Sequence, residues 1–316
     1  MKEYRFILAG YTRRSNKGVH ILNISLDKPE IDGLNSKDTI GSGPGKREEI
    51  PYMSLVDSDV RDHSRLLLNI EDPSYMALDA DKLFVLSSGD EGGVKAYNFD
   101  RKREVLRPIG GVDMLGKAPC HLYFDRDKSL IYASNYHLGR LDILLLNEDG
   151  LSLAGSICLE GRGPISPNQD GPRCHMAIKD PSDRFTLVVN LGGDRVETYY
   201  IDTEGYDLVS SYHTRPGMGP RHMVFGPGGR HVYLMGELDS TVEVLAYDSA
   251  KGILKSISRV SSLPEGSESF TGNSGAAIKV TKLKNELGKY NLYVSNRGHN
   301  SLSCLLYTSD AADEED

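Results

Sequence analysis

The chain contains no tryptophan. A Trp-Asp repeat signature is therefore absent, which weighs against the WD40 class of interaction scaffold. Cysteine is scarce. Cys120, Cys158, Cys174 and Cys304 lie too far apart for a Cys-x-x-Cys metal or redox motif, and their spacing gives no support to structural disulfides. Buried thiols in a reducing compartment are the expectation. There is no basic excess: 37 Lys and Arg stand against 45 Asp and Glu, a net charge of −8. That balance argues against nucleic acid as the main partner. No hydrophobic run approaches the ~20 residues of a membrane span, and MKEYRFILAGYTRRSNKG lacks signal-peptide architecture. A soluble, cytoplasmic protein with no membrane partner is expected. No His-x-His, His-Glu-x-x-His or EF-hand spacing occurs, so no metal site is expected. There is no Gly-x-Ser-x-Gly motif. GGVKAYN and LGGDRV read as turn glycines, not phosphate loops, so no cofactor is expected.

What remains is ample apolar material, 39% of residues, and 33 glycines, above the usual ~7%. Many tight turns follow. The apolar residues fall into a recurring module. It opens with a Pro-containing step into a short run: DPSYMALD at 72, PCHLYFD at 119, PRCHMAIKDP at 172, PRHMVFGP at 220 and a degenerate SGAAIKV at 274. A second run follows (LFVLSS, LIYASN, TLVVNLGGD, HVYLMGELD, NLYVSNRG), then a third (GGVKAYNF, RLDILLLN, DRVETYYI, STVEVLAY, NSLSCLLY). A looser fourth run often completes it, as in LSLAGSICL and YDLVSSYH. The prolines at 73, 119, 172 and 220 are 46, 53 and 48 residues apart. Four short strands per such period is the signature of a β-propeller blade. The runs are too short for helices and rich in Val, Ile, Leu, Tyr and Thr. The fold class is all-β.

The N-terminus enters this pattern part-way. YRFILAGYT matches a second strand and KGVHILNI a third, as expected if blade 1 lacks its innermost strand. The stretch 28–68, with IGSGPGKREE, reads as a loop or insertion. At the other end the sixth module finishes at NSLSCLLY and an acidic tail, TSDAADEED, follows. The expected organisation is a propeller domain over 1–302, lacking its last blade, and a non-native or disordered tail over 303–316. A closed six-bladed ring is disfavoured because nothing supplies the closing strand.

In a propeller the first strand of each blade lines the channel, and the start of strand one shares a face with the end of strand two. His175 starts strand one of blade 4. Arg221 and His222 precede strand one of blade 5. Glu237 ends strand two of blade 5 and Arg297 that of blade 6. A histidine, a carboxylate and two guanidiniums at one mouth supply acid–base groups and an anion clamp. His175 and Glu237 are the groups that exchange protons; the arginines are fixed positive charges. Structural readings stand beside these. His175, like His121 at the equivalent place in blade 3, fits a packed blade junction. Arg221 fits a bridge between blades with Glu237 as its latch, and Arg297 fits a donor to backbone carbonyls. His137, His222 and His299 lie near the same rim as supporting or surface residues. Asp90, Asp194 and Asp239 follow second strands and read as turn formers.

The stretches GPRHMVFGPGGRHVYLMGELDSTVEVLAYD and NLYVSNRGHNS, with DPSYMALD, GPRCHMAI and VVNLGGDRVETYYID, resemble the lactonase-type seven-bladed propellers. That family includes cycloisomerase-type 6-phosphogluconolactonases and carboxy-cis,cis-muconate cyclases. The resemblance covers residues 4 to about 302. It implies a catalytic set of His175 in PRCH, Arg221 in GPRH, Glu237 in the Glu-Leu-x-Ser motif and Arg297 in SNRG. Arg173 and Cys174 depart from the family's pattern. The implied activity is hydrolysis of 6-phosphogluconolactone to 6-phosphogluconate, a step of the pentose phosphate pathway, on a small anionic lactone. The alternatives are a muconate-type lactonising cyclase and a non-catalytic interaction propeller.

Overall fold

In the computed structural model the described residues are 2–9, 18–26, 64–88, 93–113, 116–264, 267, 271–281 and 289–307. They form strands and turns and no helix. The strands make six antiparallel sheets in chain order. Blade 1 holds β1 (Lys2–Leu8), β2 (Gly18–Leu26) and β3 (Ser64–Asn69). Blade 2 holds β4 (Met76–Asp79), β5 (Lys82–Ser87), β6 (Gly93–Asp100) and β7 (Val105–Asp113). Blade 3 holds β8 (His121–Asp125), β9 (Leu130–Asn135), β10 (Arg140–Asn147) and β11 (Gly150–Cys158). Blade 4 holds β12 (Cys174–Lys179), β13 (Thr186–Asn190), β14 (Arg195–Ile201) and β15 (Tyr206–His213). Blade 5 holds β16 (Pro220–Phe225), β17 (His231–Gly236), β18 (Thr241–Asp248) and β19 (Ile253–Ser261). Blade 6 holds β20 (Ser274–Val280), β21 (Tyr290–Arg297) and β22 (Ser301–Tyr307).

The second strands explain why their runs read as continuous apolar stretches. In blades 2 to 5 these strands, β5, β9, β13 and β17, are buried on both faces, and their side chains alternate between two neighbouring blades. Leu83 and Val85 of β5 pack toward blade 1, while Phe84 and Leu86 pack toward blade 3. In β9, Ile131 and Ala133 face blade 2, and Leu130 and Tyr132 face blade 4. In β17, Val232 and Leu234 face blade 4, and Tyr233 and Met235 face blade 6. One hydrophobic cluster therefore fills each interface between consecutive blades. No blade has a core of its own, which is the logic of a stacked repeat. The fourth strands sit at the rim: Leu208, Ile257 and Leu153 are exposed, matching the looseness of the fourth run. The innermost strands β4, β8, β12, β16 and β20 contact one another in succession along the axis.

Three expectations need comment. Residues 64–68, read as the end of an irregular stretch, belong to β3, which pairs with β2. The IGSGPGKREE segment and Asp90 lie outside the described residues. The domain boundary placed after 302 falls within β22, whose residues 301–307 pair throughout with β21.

A second repeated device links the blades. Asn135, Asn190 and Asn296 occupy one register position, the end of strand two, where Asn190 pairs with Cys174 and Asn296 with Gly275. Each Asn side chain donates across to the incoming loop: Asn135 to Lys117 O (2.7 Å), Asn190 to Glu160 O (2.8 Å) and Asn296 to Ser262 O (2.9 Å). These satisfy backbone carbonyls that strand pairing leaves open. In blade 5 the same position is Gly236, paired with Pro220.

Candidate active site

The innermost strands of blades 4 and 5 each carry one extra residue. The register shifts between Cys174 and Met176 in β12, and between Pro220 and His222 in β16. The bulged residues are His175 and Arg221. A bulge re-aims a side chain that regular pairing would send into a blade interface. The register also corrects one sequence assignment. His175 corresponds to Arg221, and His121, which pairs with Ser134, corresponds to Met176 and His222. His121 is not the counterpart of His175.

Glu237 follows the end of β17 and Arg297 closes β21. The register position after Asn135, Asn190, Gly236 and Asn296 is therefore held by Tyr136, Leu191, Glu237 and Arg297. The four expected residues meet at one atom. Glu237 Oε2 lies 2.8 Å from Arg221 Nε, 3.1 Å from Arg297 Nη2 and 3.9 Å from His175 Nε2. Arg297 Nη2 also donates to Ser274 Oγ (2.7 Å) and Gly275 O (3.3 Å). Ser274 is the cross-strand partner of Arg297. The Arg221 terminal nitrogens engage no described residue. Arg297 is 51% exposed, against 16% for Arg221. The mouth thus presents two guanidiniums, one carboxylate and unclaimed donors facing solvent, a local surplus of positive charge.

Beside this cluster runs a chain of ring contacts between the inner strands. His175 lies 5.1 Å from His222 and 5.6 Å from Tyr136, and His121 lies 5.7 Å from His222 and 4.6 Å from Tyr75, centroid to centroid. Blades 3 and 5 are separated by blade 4, so His121 and His222 can meet only where the inner strands converge. Burial first, and the Arg221 charge second, hold the His175 and His222 imidazoles well below the ordinary histidine range. Burial, Lys279 and Arg221 bring His121 to about 3. All three are neutral near pH 7. Burial also pulls Arg221 down from its ordinary value, against the opposing Glu237 charge. Cys120 Sγ sits 3.7 Å from His175 Nδ1, and burial pushes its thiol up to about 12, so it stays protonated.

Arg173 and Cys174, the departures from the family pattern, are accommodated. Arg173 stacks over Tyr136 at 5.4 Å, and the Cys174 side chain packs in the blade 3–4 core. His137 is exposed beside Tyr136, and His299 contacts Ser301 Oγ at 2.9 Å. His222, read as a supporting or surface residue, meets His175 edge-to-face, its ring centroid 5.1 Å away. Asp239, whose Oδ2 accepts from Arg215 Nη2 at 2.7 Å, also bonds within its own turn, to Thr241 N and Oγ1. Asp194 does not: its carboxylate crosses to the next blade. Ser274, Tyr136 and Asp194 carry no motif that the sequence alone singles out as part of the site. Among the described residues no group of three or more His, Cys, Asp or Glu side chains is placed to hold a metal ion. No helix among them is long and apolar enough to cross a membrane.

Sheet order and site together define a β-propeller with an Arg–Glu–Arg–His cluster at one mouth. The family model described as lactonase, 7-bladed beta-propeller matches residues 37–314, and the chain belongs to that family. A Bacillus subtilis (strain 168) protein named 6-phosphogluconolactonase is 32% identical over 245 residues, covering 76% of this chain and 68% of that protein. A Lactococcus lactis subsp. cremoris protein is 32% identical over 307 residues, covering 96% of this chain and 78% of its own length. A crystal structure from Lactobacillus plantarum superposes with a TM-score of 0.78 at 27% identity, covering 98% of this chain and 80% of the other. The Pseudomonas aeruginosa periplasmic gluconolactonase shares the fold, with a TM-score of 0.69 at 20% identity over 98% of this chain and 84% of its own.

Proposed function

We propose that this protein hydrolyses a sugar lactone, with 6-phosphogluconolactone as the substrate and 6-phosphogluconate as the product. The observation that carries this reading is the convergence of Arg221, Arg297 and His175 on Glu237 Oε2, with the Arg221 terminal donors left open. Lactone opening needs a water stripped of a proton, a stabilised tetrahedral oxyanion and a proton for the leaving ring oxygen. A neutral His175 is suited to take the proton from water at Nε2, with Nδ1 facing the Cys120 thiol. Glu237 then stabilises the imidazolium, which returns the proton to the ring oxygen. The Arg221 terminal N–H groups meet the oxyanion. The exposed Arg297 meets an anionic group of the substrate. Glu237 holds both guanidiniums in register. The B. subtilis relative supports this choice of lactone.

The reading includes a cytoplasmic location. All four cysteines are free thiols, Cys158 at the surface, which suits a reducing compartment. A net charge of −8 disfavours nucleic acid.

The test is acid release followed at constant pH with three compounds: 6-phosphogluconolactone, unphosphorylated gluconolactone and a muconate-type dicarboxylic lactone. Acceleration of the first above its spontaneous rate is expected. Activity confined to the dicarboxylic compound would select the cyclase reading. No acceleration of any lactone would leave the interaction propeller.

A further inference from the structure

Asp194 sits in the turn between β13 and β14 of blade 4, in the left-handed region at φ +50°. Its sequence context, LGGD, reads as a local turn. Its carboxylate, only 7% exposed, does something else. Oδ2 accepts from Gly217 N at 2.7 Å, and Oδ1 accepts from Gly219 N at 2.8 Å and from Gln169 Nε2 at 2.7 Å. The Asp194 carbonyl accepts from Thr214 N at 2.9 Å and Thr214 Oγ1 at 3.1 Å. One residue of blade 4 thus grips the loop that enters blade 5, at both ends.

That loop leads directly into the site. Gly219, at φ +58°, gives its N–H to Asp194 and takes the Glu237 N–H on its carbonyl at 2.8 Å. Two residues later comes Arg221. Met218 O accepts from Leu238 N at 3.1 Å, tying the same loop to the residue after Glu237. The chain of contacts continues into blade 6, where Gly275 N donates to Glu237 O at 2.9 Å and Gly275 O accepts from Arg297 Nη2 at 3.3 Å. The three groups on Glu237 Oε2 come from three blades, so their spacing depends on how the blades are fastened at this mouth. The Arg215–Asp239 ion pair (2.7 Å) ties the same loop to blade 5, and the Asp194 carboxylate ties it to blade 4 through two backbone N–H groups. A buried carboxylate accepting several N–H groups is a strong, directional fastening.

We infer that Asp194 is a positioning residue that fixes the Gly217–Gly219 loop and thereby sets Arg221 against Glu237. This rests on the site reading above. Gln169, fully buried, acts with it. Its Nε2 bonds both Asp194 and Leu191 O (2.9 Å), and its Oε1 accepts from Ile165 N (3.2 Å).

The experiment compares Asp194→Asn with Thr214→Ala. The first removes one acceptor from the loop at nearly constant shape. The second removes a bond to the same residue's carbonyl and leaves the carboxylate contacts in place. Two measurements are made on each: turnover of 6-phosphogluconolactone, and the Arg221 Nε–H resonance in ¹⁵N-arginine-labelled protein, assigned by its loss in Arg221→Lys. Asp194→Asn should lower turnover by about 100-fold, the scale of an ångström-sized misplacement. It should also shift or broaden the Arg221 signal. Thr214→Ala, matched for thermal stability, should leave both unchanged. Turnover falling in step with thermal stability in both variants, or an unmoved Arg221 signal in Asp194→Asn, overturns the positioning role. If the unmodified protein opens no lactone, the functional reading fails, and the Arg221 signal still decides whether Asp194 places that side chain.

Discussion

Blades 4 and 5 are built on one register and use it differently. In blade 4 the end of strand two is Asn190. Its side chain accepts from Arg173 N (3.1 Å) and Gly193 N (3.0 Å) and donates to Glu160 O (2.8 Å). The next residue is the buried Leu191. In blade 5 the same two positions are Gly236 and Glu237. The staple is gone, and a carboxylate stands where the repeat elsewhere puts Leu191 or Tyr136. The bulged residue of strand one changes with it, from His175 to Arg221. Blades 3, 4 and 6 keep the Asn fastening, and blade 5 alone among them gives it up, beside Glu237. Blade 5 then takes its fastening from outside, through Asp194 of blade 4.

The largest test of this contrast is chemical. If blade 5 carries catalysis, Arg221→Ala should lower turnover by about 10²–10³-fold, the usual effect of losing one donor to a developing oxyanion. Thermal stability should change little. Glu237→Gln, nearly isosteric, should also lower turnover sharply, because an amide cannot balance two guanidiniums. Leu191→Glu in blade 4 should create no activity of its own. Near-normal turnover in Glu237→Gln, with unfolding in Glu237→Ala, would make Glu237 a latch between blades and remove it from the reaction.

Acid should weaken the protein through the ring cluster. His121, His175 and His222 have folded pKa values depressed mainly by burial. Above about pH 6.5 both folded and unfolded states hold them neutral, and their contribution to stability is complete. Below it the unfolded chain takes up protons that the folded chain refuses. Stability is then lost as pH falls toward the folded values, about 3 for His121. Each histidine contributes a slope of up to about 1.4 kcal/mol per pH unit. Asp142 and Glu197, raised by burial, act oppositely from about pH 4 upward. The histidine contribution is therefore read as a difference. Urea midpoints between pH 7 and 5 should fall less steeply in His121→Phe than in the unmodified protein. An unchanged slope would show that His121 titrates alike in both states, and the dry, buried surroundings of its ring would have to be abandoned.

The repeat was legible because blade interfaces impose it. A strand buried on both faces must be apolar at every position, so LIYASN and HVYLMG stand out, and the period locates channel and rim. Strand position then brings His175, Arg221, Glu237 and Arg297 to one face. Register was not legible. A single extra residue at His175 and at Arg221 leaves the Pro-Arg-His spelling intact while shifting which residues correspond, so His121 looks like the partner of His175. Nor could LGGD disclose that Asp194 reaches Gly217 and Gly219, since an aspartate after two glycines spells the same turn whether it bonds itself or a neighbour. SRLLLN does not stand out as a strand because its outer-edge positions need not be apolar: Arg65 and Leu66 are exposed.

The smallest effects should separate the two blades most cleanly. Asn190→Ala removes three hydrogen bonds from the blade 3–4 junction, leaving Glu160 O and two backbone N–H groups to find water. The loss should be about 2 kcal/mol of unfolding free energy, given about 1 kcal/mol per neutral hydrogen bond and partial rescue by solvent. None of those three bonds goes to Glu237 or either of its arginines, so turnover at saturating lactone should hold. Gly236→Ala removes no hydrogen bond. Its added methyl group would collide with Asp239 Oδ1 and stand 2.8 Å from Met218 Cγ. Overpacking of this kind costs about 1–2 kcal/mol, and here the strain has two outlets. One is Asp239, which would give up its contacts with Thr241. The other is the end of β17, which would carry Glu237 away from Arg221. If the site depends on the close approach that glycine permits, Gly236→Ala should lower turnover more than Asn190→Ala while destabilising the protein less. Chemical unfolding and turnover measured on both variants decide it. Equal turnover in the two would mean that Gly236 is only where the staple was lost, and that the blade 5 mouth tolerates displacement.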